Sequence, residues 1–147
     1  PARRGQVFRL QLDTDRAMVM ADSDRLQQIL INLANNACEA APEGAVIQWK
    51  LVRDADDRML ILTLQNPGEA ISQSLLPRIF EPFLTTKPNG TGLGLSIVKR
   101  MVDGHGGDIQ IRSEDSEGTV VTLEMPLAWE AAPVADTHTP PVTSGVC

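Results

Sequence analysis

The sequence predicts an α+β fold, a two-layer sandwich in which helices cover one face of a mixed, mostly antiparallel sheet. Apolar residues recur at helical spacing in segments 23–41 and 94–103, whereas segments 46–53 and 108–113 alternate apolar and polar residues as strands do. The chain therefore contains both helices and strands. We expect the apolar stripes of the two helices to lie on the same face of the sheet.

The composition is that of one globular domain with an aliphatic core. Of the 147 residues, 42% are hydrophobic, but only three are phenylalanine and two tryptophan. The net charge of −6 disfavours binding to nucleic acid. Cys38 and Cys147 give neither a disulfide framework nor a metal-ligand spacing, which fits a reducing compartment. No apolar run is long enough to cross a membrane and no secretory leader precedes the first strand, so we expect a cytoplasmic domain without membrane contact.

The N-terminal segment, residues 1–18, is expected to carry the first strand of the domain at 7–12. A second short strand is expected at 19–21, directly before Asp22. Asp22 is a candidate N-cap for helix 23–41, and a Pro-Glu-Gly sequence follows the last apolar residue of that helix. This helix is the element that the sequence predicts most clearly.

Two asparagines on this helix, Asn32 and Asn36, lie one turn apart at the edge of the apolar stripe and point the same way. Asparagine is a middling helix former, so such a pair invites an explanation. One explanation is a solvated helix face. The other is a magnesium site, because an amide oxygen is a hard, neutral ligand and magnesium takes much of its shell from water and nucleotide phosphates.

The middle of the chain predicts a hairpin followed by a short helix. Strands at 46–53 and 59–64 form the hairpin, and residues 65–68 are a strong turn signal. Within 72–80 we expect one short helix, because Pro77 limits its length.

A glycine-rich stretch, residues 90–95, opens the second helix. Glycines at alternate positions leave backbone amides uncovered, and a helix N-terminus adds unpaired N–H groups and a partial positive charge. Both features suit phosphate. Taken alone, the stretch is also compatible with a dinucleotide site, although that motif normally follows a first parallel strand.

Strands at 108–113 and 119–125 complete the predicted sheet. Beyond them the composition shifts to Ala, Pro and Thr without periodicity. We therefore expect residues 19–126 to form the domain core and residues 127–147 to be a disordered tail.

Four motifs follow one another in a specific order: Asn-Leu-Ala-Asn-Asn-Ala from residue 32, Asn-Pro-Gly-Glu-Ala-Ile from 66, Phe-Glu-Pro-Phe from 80 and Gly-Thr-Gly-Leu-Gly-Leu from 90. With this order and spacing, the chain resembles the catalytic, ATP-binding domain of sensor histidine kinases, within the Bergerat-fold ATPase superfamily. The resemblance covers roughly residues 19–126. It implies a sandwich of the Bergerat type and a histidine kinase activity that uses ATP and Mg²⁺.

The resemblance also implies roles for individual residues. Asn36 matches the magnesium ligand, Asn32 is its polar neighbour, and Lys87 sits where a lid cation would act in catalysis together with Asn32. The adenine would meet four residues: Asn66, Gly68, Ile71 and Thr119. The triphosphate would meet the glycine loop: Lys87, Gly90, Thr91, Gly92, Leu93, Gly94 and Leu95.

Three departures from the family pattern modify these expectations. Asn66 replaces the usual aspartate and keeps an acceptor oxygen without the charge, so we expect weaker ATP binding. The lid is short, because only residues 88 and 89 separate Lys87 from the glycine loop. Asn32 stands where ATP-hydrolysing relatives place a glutamate base, and an amide accepts no proton at neutral pH. Hydrolysis of ATP by water is therefore not expected.

The implied function is transfer of the ATP γ-phosphoryl group to a histidine on a separate dimerisation domain, in the homodimer of a longer protein. A response regulator would be an indirect partner. Neither His105 nor His138 follows the phosphoacceptor pattern, so this chain alone is not expected to autophosphorylate. Two alternatives stay open: a regulatory module of the same fold that has lost tight nucleotide binding, as Asn66 and Ala70 suggest, and a protein serine kinase of the same superfamily.

Overall fold

The computed structural model describes residues 5–86 and 92–128, which form a five-stranded sheet with two helices packed on one face. In chain order the elements are β1 (Val7–Leu12), α1 (Ser23–Ala40), β2 (Val46–Arg53), β3 (Met59–Asn66), a 3₁₀ helix (Leu76–Arg78), α2 (Gly94–Gly104), β4 (Asp108–Glu114) and β5 (Gly118–Pro126).

The sheet has the strand order β1-β2-β3-β5-β4. Strand β1 runs parallel to β2, and every other neighbouring pair is antiparallel. The predicted α+β sandwich with a mixed, mostly antiparallel sheet is therefore confirmed.

Aliphatic side chains fill the space between the helices and the sheet. The fully buried large side chains come from both layers: Ile29, Leu33, Ile47, Leu64, Leu123, Val98 and Val102. Trp49 and Phe80 are only partly buried at the edge of this core. The two helices lie on the same face of the sheet, as their apolar stripes predicted. Burial of these side chains is the main favourable contribution to packing helices on a sheet.

Helix α1 begins as its sequence predicted. Asp22 is the N-cap, and its Oδ1 accepts hydrogen bonds from the backbone N–H groups of Asp24 at 3.0 Å and Arg25 at 3.2 Å. These bonds satisfy donors that have no partner inside the helix. Its last residue is Ala40, one position before the predicted end.

Two elements differ from the prediction. The strand expected at 19–21 is only a single bridge between Val19 and Leu127, because the N-cap of α1 follows at Asp22 and ends the extended segment. The helix expected within 72–80 shrinks to the 3₁₀ helix, since Pro77 has no N–H with which to continue a helical ladder.

The segment that follows β5 begins with contacts to the first part of the chain. Ala128 N–H donates to Met18 O at 2.8 Å, and Leu127 N–H donates to Arg58 O at 2.8 Å. The remainder of the predicted tail, 129–147, lies outside the described residues. None of the helices that the structure describes is long and apolar enough to cross a membrane.

Candidate functional site

The C-terminal half of α1 brings Asn36 beside the first residue of α2. A Cβ atom built on Gly94 would lie 4.0 Å from Asn36 Nδ2, the nearest atom that such a Cβ would meet. Asn32 lies one turn earlier on the same side of α1, and both asparagines are half-buried. Within the described residues, neither amide makes a hydrogen bond to another group, so both remain available to a ligand.

The N-terminus of α2 has no side-chain cap within the described residues. Its N-cap is Leu93, which offers no side-chain acceptor, and no acidic residue occurs in the first turn. The nearby Ser96 hydroxyl donates to Leu93 O at 2.9 Å, so it does not cover the N–H groups of the first turn. These donors and the positive end of the helix dipole therefore face Asn36 without a negative partner from α2 itself. This arrangement suits an anion such as phosphate.

Gly92, two residues before α2, is in contact with Phe83. Phe83 N–H donates to Gly92 O at 2.9 Å, and Gly92 has a φ of +67°. A Cβ on Gly92 would collide with the backbone of Phe83. Only glycine satisfies both conditions, so Gly92 fixes the point at which the chain returns to α2. Lys87, Gly90 and Thr91 lie outside the described residues, and their roles stay predictions.

Two residues of α2, Leu95 and Lys99, differ in the groups that they offer to a ligand. Leu95 packs its side chain against the core from the first turn of α2, so its predicted phosphate contact rests on the backbone N–H. Lys99, on the second turn, is held by Asp103 at 2.8 Å and Asp108 at 3.7 Å. The hydrogen bond to Asp103 raises the pKa of the Lys99 ammonium above its ordinary value. This lysine is therefore already paired within the helix and its neighbouring strand.

The second part of the site is a row of polar side chains at the end of the sheet. Asn66 at the end of β3 lies opposite Thr119 on β5, which in turn lies opposite Ser113 on β4. Paired residues project to the same face of a sheet, and here that face is the one covered by the helices. All three residues are buried, with exposures of 4% for Asn66, 9% for Thr119 and 2% for Ser113.

Hydrogen bonds organise this row. Ser113 Oγ accepts from Ile71 N–H at 2.8 Å and lies 2.9 Å from Thr119 Oγ1. Asn66 Nδ2 donates to Pro67 O at 3.1 Å, which fixes the direction of the amide. Ser113 is not among the site residues that the sequence predicts. A signal was available, because Ser113 occupies the third inward position of β4 after Ile109 and Ile111, where another apolar residue is expected.

Gly68 joins this row to helix α1. Its φ is +145°, and a Cβ atom there would lie 2.5 Å from Ala40 O at the end of the helix. Because Ala40 is one turn beyond Asn36, both parts of the site lie along the C-terminal half of α1. The structure thus joins the four sequence motifs by contacts: Asn36 lies beside Gly94, Gly92 contacts Phe83, and Gly68 lies against the end of α1.

The residues present fit a magnesium ion held together with a nucleotide. The side-chain amide of Asn36 lies beside the N-terminus of α2, with Nδ2 as its atom nearest to Gly94, and this amide carries one neutral oxygen. Magnesium usually keeps several waters and is bound through few protein ligands plus substrate phosphates. One amide oxygen from the protein is therefore a suitable ligand in its coordination shell.

Comparison with known proteins identifies the family of this chain. A family model described as "Histidine kinase-, DNA gyrase B-, and HSP90-like ATPase" matches residues 21–128. Sporulation kinase D of Bacillus subtilis is 41% identical over 111 residues, which make up 76% of this chain and 22% of that protein. Sensor histidine kinase ZraS of Salmonella typhimurium is 38% identical over 109 residues, 74% of this chain and 23% of that protein. The solved catalytic domain of histidine kinase ThkA has a TM-score of 0.75 and 36% identity, covering 84% of this chain and 80% of that one.

The chain belongs to the histidine kinase-, DNA gyrase B- and HSP90-like ATPase family. Within this family it corresponds to the ATP-binding catalytic domain of sensor histidine kinases, which confirms the resemblance seen in the sequence. The chain spans about a fifth of the length of the curated relatives it matches.

Proposed function

We propose that this domain binds ATP with Mg²⁺ and transfers the γ-phosphoryl group to a histidine on a separate dimerisation domain of the same protein. The observation that carries the proposal is the position of Asn36 beside the open N-terminus of α2. This proximity supports one shared site, because an amide oxygen suits Mg²⁺ and the amides of a helix N-terminus suit phosphate.

At the triphosphate end, Asn36 Oδ1 holds the metal and Asn32 provides a second polar group one turn away. The backbone amides of residues 90–95 bind phosphate oxygens, and Lys87 approaches the γ-phosphoryl group as a cation. Bound magnesium supplies charge compensation for the triphosphate. The protein contributes to catalysis by positioning the triphosphate, because phosphoryl transfer depends mostly on geometry and charge stabilisation.

At the base end, Asn66 Oδ1 accepts a hydrogen bond from the adenine amino group. One N–H of Nδ2 is bonded to Pro67 O, and this bond orients the amide, whose Oδ1 is the acceptor that we assign to the base. Thr119 lies next to Asn66, Ile71 packs on the base, and Gly68 lets the turn approach α1 closely. A neutral acceptor forms a weaker bond than the usual carboxylate, so ATP binding is weaker than in relatives with aspartate.

The phosphoryl acceptor is a histidine rather than water. Asn32 lacks the basicity needed to activate water, which disfavours hydrolysis. The acceptor belongs to the dimerisation domain of a homodimer, and the phosphoryl group passes from there to a response regulator in the cytoplasm. A solved structure of ThkA, 32% identical to this chain, contains that kinase in complex with response regulator protein TrrA, which supports a partner of this class.

The first test is calorimetric titration of the domain with a nonhydrolysable ATP analogue, with and without magnesium. The expected result is submillimolar affinity that falls sharply when EDTA removes the metal. Failure to bind at millimolar concentration contradicts the proposal. The second test labels the full-length protein with γ-labelled ATP, and the expected product is an acid-labile phosphohistidine outside this domain.

A second candidate function is a regulatory module that has kept the fold and lost tight nucleotide binding. Asn66 and Ala70 favour it, because they replace an aspartate and a glycine of the adenine motif. The same titration separates the candidates, since this one expects no magnesium-dependent binding. Restoring the carboxylate with Asn66→Asp should then recover binding only if the rest of the site is intact.

A further inference from the structure

Ser113 makes two hydrogen bonds that connect the base end of the site to different parts of the chain. Its Oγ accepts from Ile71 N–H at 2.8 Å and lies 2.9 Å from Thr119 Oγ1, and Ile71 and Ser113 are 42 residues apart in sequence. Ser113 is 2% exposed and projects among the inward residues of β4. Its hydroxyl therefore lacks free access to bulk water.

The burial of Ser113 fixes the direction of the hydrogen bond to Thr119. A hydroxyl has one hydrogen to donate, and in the described residues Thr119 Oγ1 is the acceptor that lies within bonding distance of Ser113 Oγ. If Thr119 donated instead, the Ser113 hydrogen would be buried without an acceptor, which is costly. Ser113 therefore donates to Thr119, and the hydrogen of the Thr119 hydroxyl is left for another acceptor.

Asn66, which is paired with Thr119 across β3 and β5, offers the complementary group. Its Nδ2 donates to Pro67 O at 3.1 Å, and no group in the described part of the chain donates to its Oδ1. The base end thus presents an acceptor, Asn66 Oδ1, beside a donor, the Thr119 hydroxyl. An adenine edge has an amino donor beside a ring-nitrogen acceptor, whereas guanine has a carbonyl acceptor beside an N–H donor.

We infer that Ser113 is a positioning residue for nucleobase selection. By donating to Thr119, it leaves the Thr119 hydroxyl hydrogen available to the base, and by accepting from Ile71 N–H it holds the backbone there. The acceptor of Asn66 and the donor of Thr119 then match the hydrogen-bonding groups of adenine and mismatch those of guanine. The inference rests on the proposed ATP-binding function. It concerns how this chain selects the base when its adenine motif contains an amide, which by chemistry alone is able to pair with either purine.

The test measures the affinities of nonhydrolysable ATP and GTP analogues, both with magnesium, for the wild-type domain and for Ser113→Ala. We expect the wild type to prefer the ATP analogue by at least about 30-fold, and Ser113→Ala to reduce this preference about tenfold, since one hydrogen bond is worth roughly that factor. Ser116→Ala is the matched control, because Ser116 is exposed in the turn between β4 and β5. It should leave both affinities unchanged.

A double-mutant cycle shows whether Ser113 acts through Thr119. Thr119→Val removes the donor directly and should lower the preference as much as Ser113→Ala does. Adding Ser113→Ala to Thr119→Val should then change the ATP to GTP ratio by less than about twofold. If the Ser113→Ala domain does not fold, the ATP to GTP affinity ratio of Thr119→Val still decides whether the Thr119 hydroxyl selects the base.

The outcomes distinguish this inference from the proposed function. Equal loss of ATP and GTP affinity in Ser113→Ala indicates a purely structural serine and overturns the inference. Equal binding of both analogues by the wild type also overturns it, while leaving the proposed nucleotide site in place. If neither analogue binds to the wild type, both the proposed function and the inference fail.

Discussion

The two helices of this domain begin in opposite ways. The N-terminus of α1 is capped by Asp22, has Asp24 in its first turn, and receives a further link because Asp22 N–H donates to His105 Nε2 at 3.3 Å. The N-terminus of α2 has no side-chain cap and no acid in its first turn. The same backbone donors are thus capped by an acid in α1, whereas in α2 no described side chain caps them.

This difference separates effects on stability from effects on binding. Removing a group at the start of α1 should weaken the fold and leave the site intact. Changes at the start of α2 should act mainly on nucleotide affinity, because no side chain in the described part of the chain caps this helix terminus. The four predictions that follow test this separation, from the largest expected effect to the smallest.

Adding a negative charge to the first residue of α2 should have the largest effect on binding. Gly94 has space for a side chain, since its nearest contact would be Asn36 Nδ2 at 4.0 Å. Gly94→Asp places a carboxylate where we propose the phosphates bind, and we expect nucleotide affinity to fall more than about 100-fold in calorimetry. The free energy of unfolding should not fall, because an acid in the first turn of a helix is favourable.

Ser23→Asp is the matched control, because Ser23 is the first residue of α1 and is exposed. It adds the same charge at the same helical position and should leave nucleotide affinity within about twofold of the wild type. If both variants lose affinity equally, general charge repulsion rather than a phosphate site at α2 explains the result.

Asn36→Ala should remove the magnesium-dependent part of binding. We expect affinity for a nonhydrolysable ATP analogue to fall about 30-fold with magnesium present and to change little in EDTA, because the lost group is a metal ligand. Unfolding by urea should shift by less than about 0.5 kcal/mol, since the Asn36 amide has no partner within the described residues. Asn35→Ala, an exposed neighbour on α1, controls for the helix. An unchanged magnesium dependence in Asn36→Ala would contradict the assigned metal role.

The sequence predicted the features that depend on local chemistry. The cap at Asp22, the apolar stripes of α1 and α2 and the alternation in β2 each depend on residues a few positions apart. The predictions of these elements were correct because helix and strand periodicity determine which side chains are buried. The order of the four motifs then indicated the family.

The sequence did not reveal features that depend on which strand ends meet. Ser113 contacts Ile71 and Thr119 only because β4 and β5 pair in a particular register. The parallel pairing of β1 with β2 was likewise not predicted, since it depends on tertiary arrangement rather than on local pattern. The prediction of a strand at 19–21 was wrong for the opposite reason. The local pattern favours a strand, but among the described residues the segment forms a single bridge, to Leu127.

Removing the cap of α1 should affect stability alone. Asp22→Ala deletes the acceptor of two N–H groups, and we expect the free energy of unfolding to fall by about 1 kcal/mol in urea titration. Nucleotide affinity of the folded domain should not change. Asp22→Asn keeps a side-chain acceptor and should recover most of the loss. If Asp22→Asn is as unstable as Asp22→Ala, the capping bonds do not account for the effect.

The smallest effect should come from the exposed ion pair that precedes the loop into α2. The Arg78 guanidinium donates to both carboxylate oxygens of Glu81, at 2.9 to 3.2 Å, and these hydrogen bonds hold the pKa of Glu81 below its ordinary value. A depressed carboxyl pKa stabilises the folded state above the ordinary pKa, and this contribution disappears as the pH falls through the lowered value. Because both side chains are exposed, solvent and salt screen the pair. NMR titration of the Glu81 carboxyl should therefore show a midpoint below the ordinary value that rises in Arg78→Gln and also in high salt. An identical midpoint in wild type and Arg78→Gln would show that the pair has no electrostatic effect, even though the two side chains are in contact.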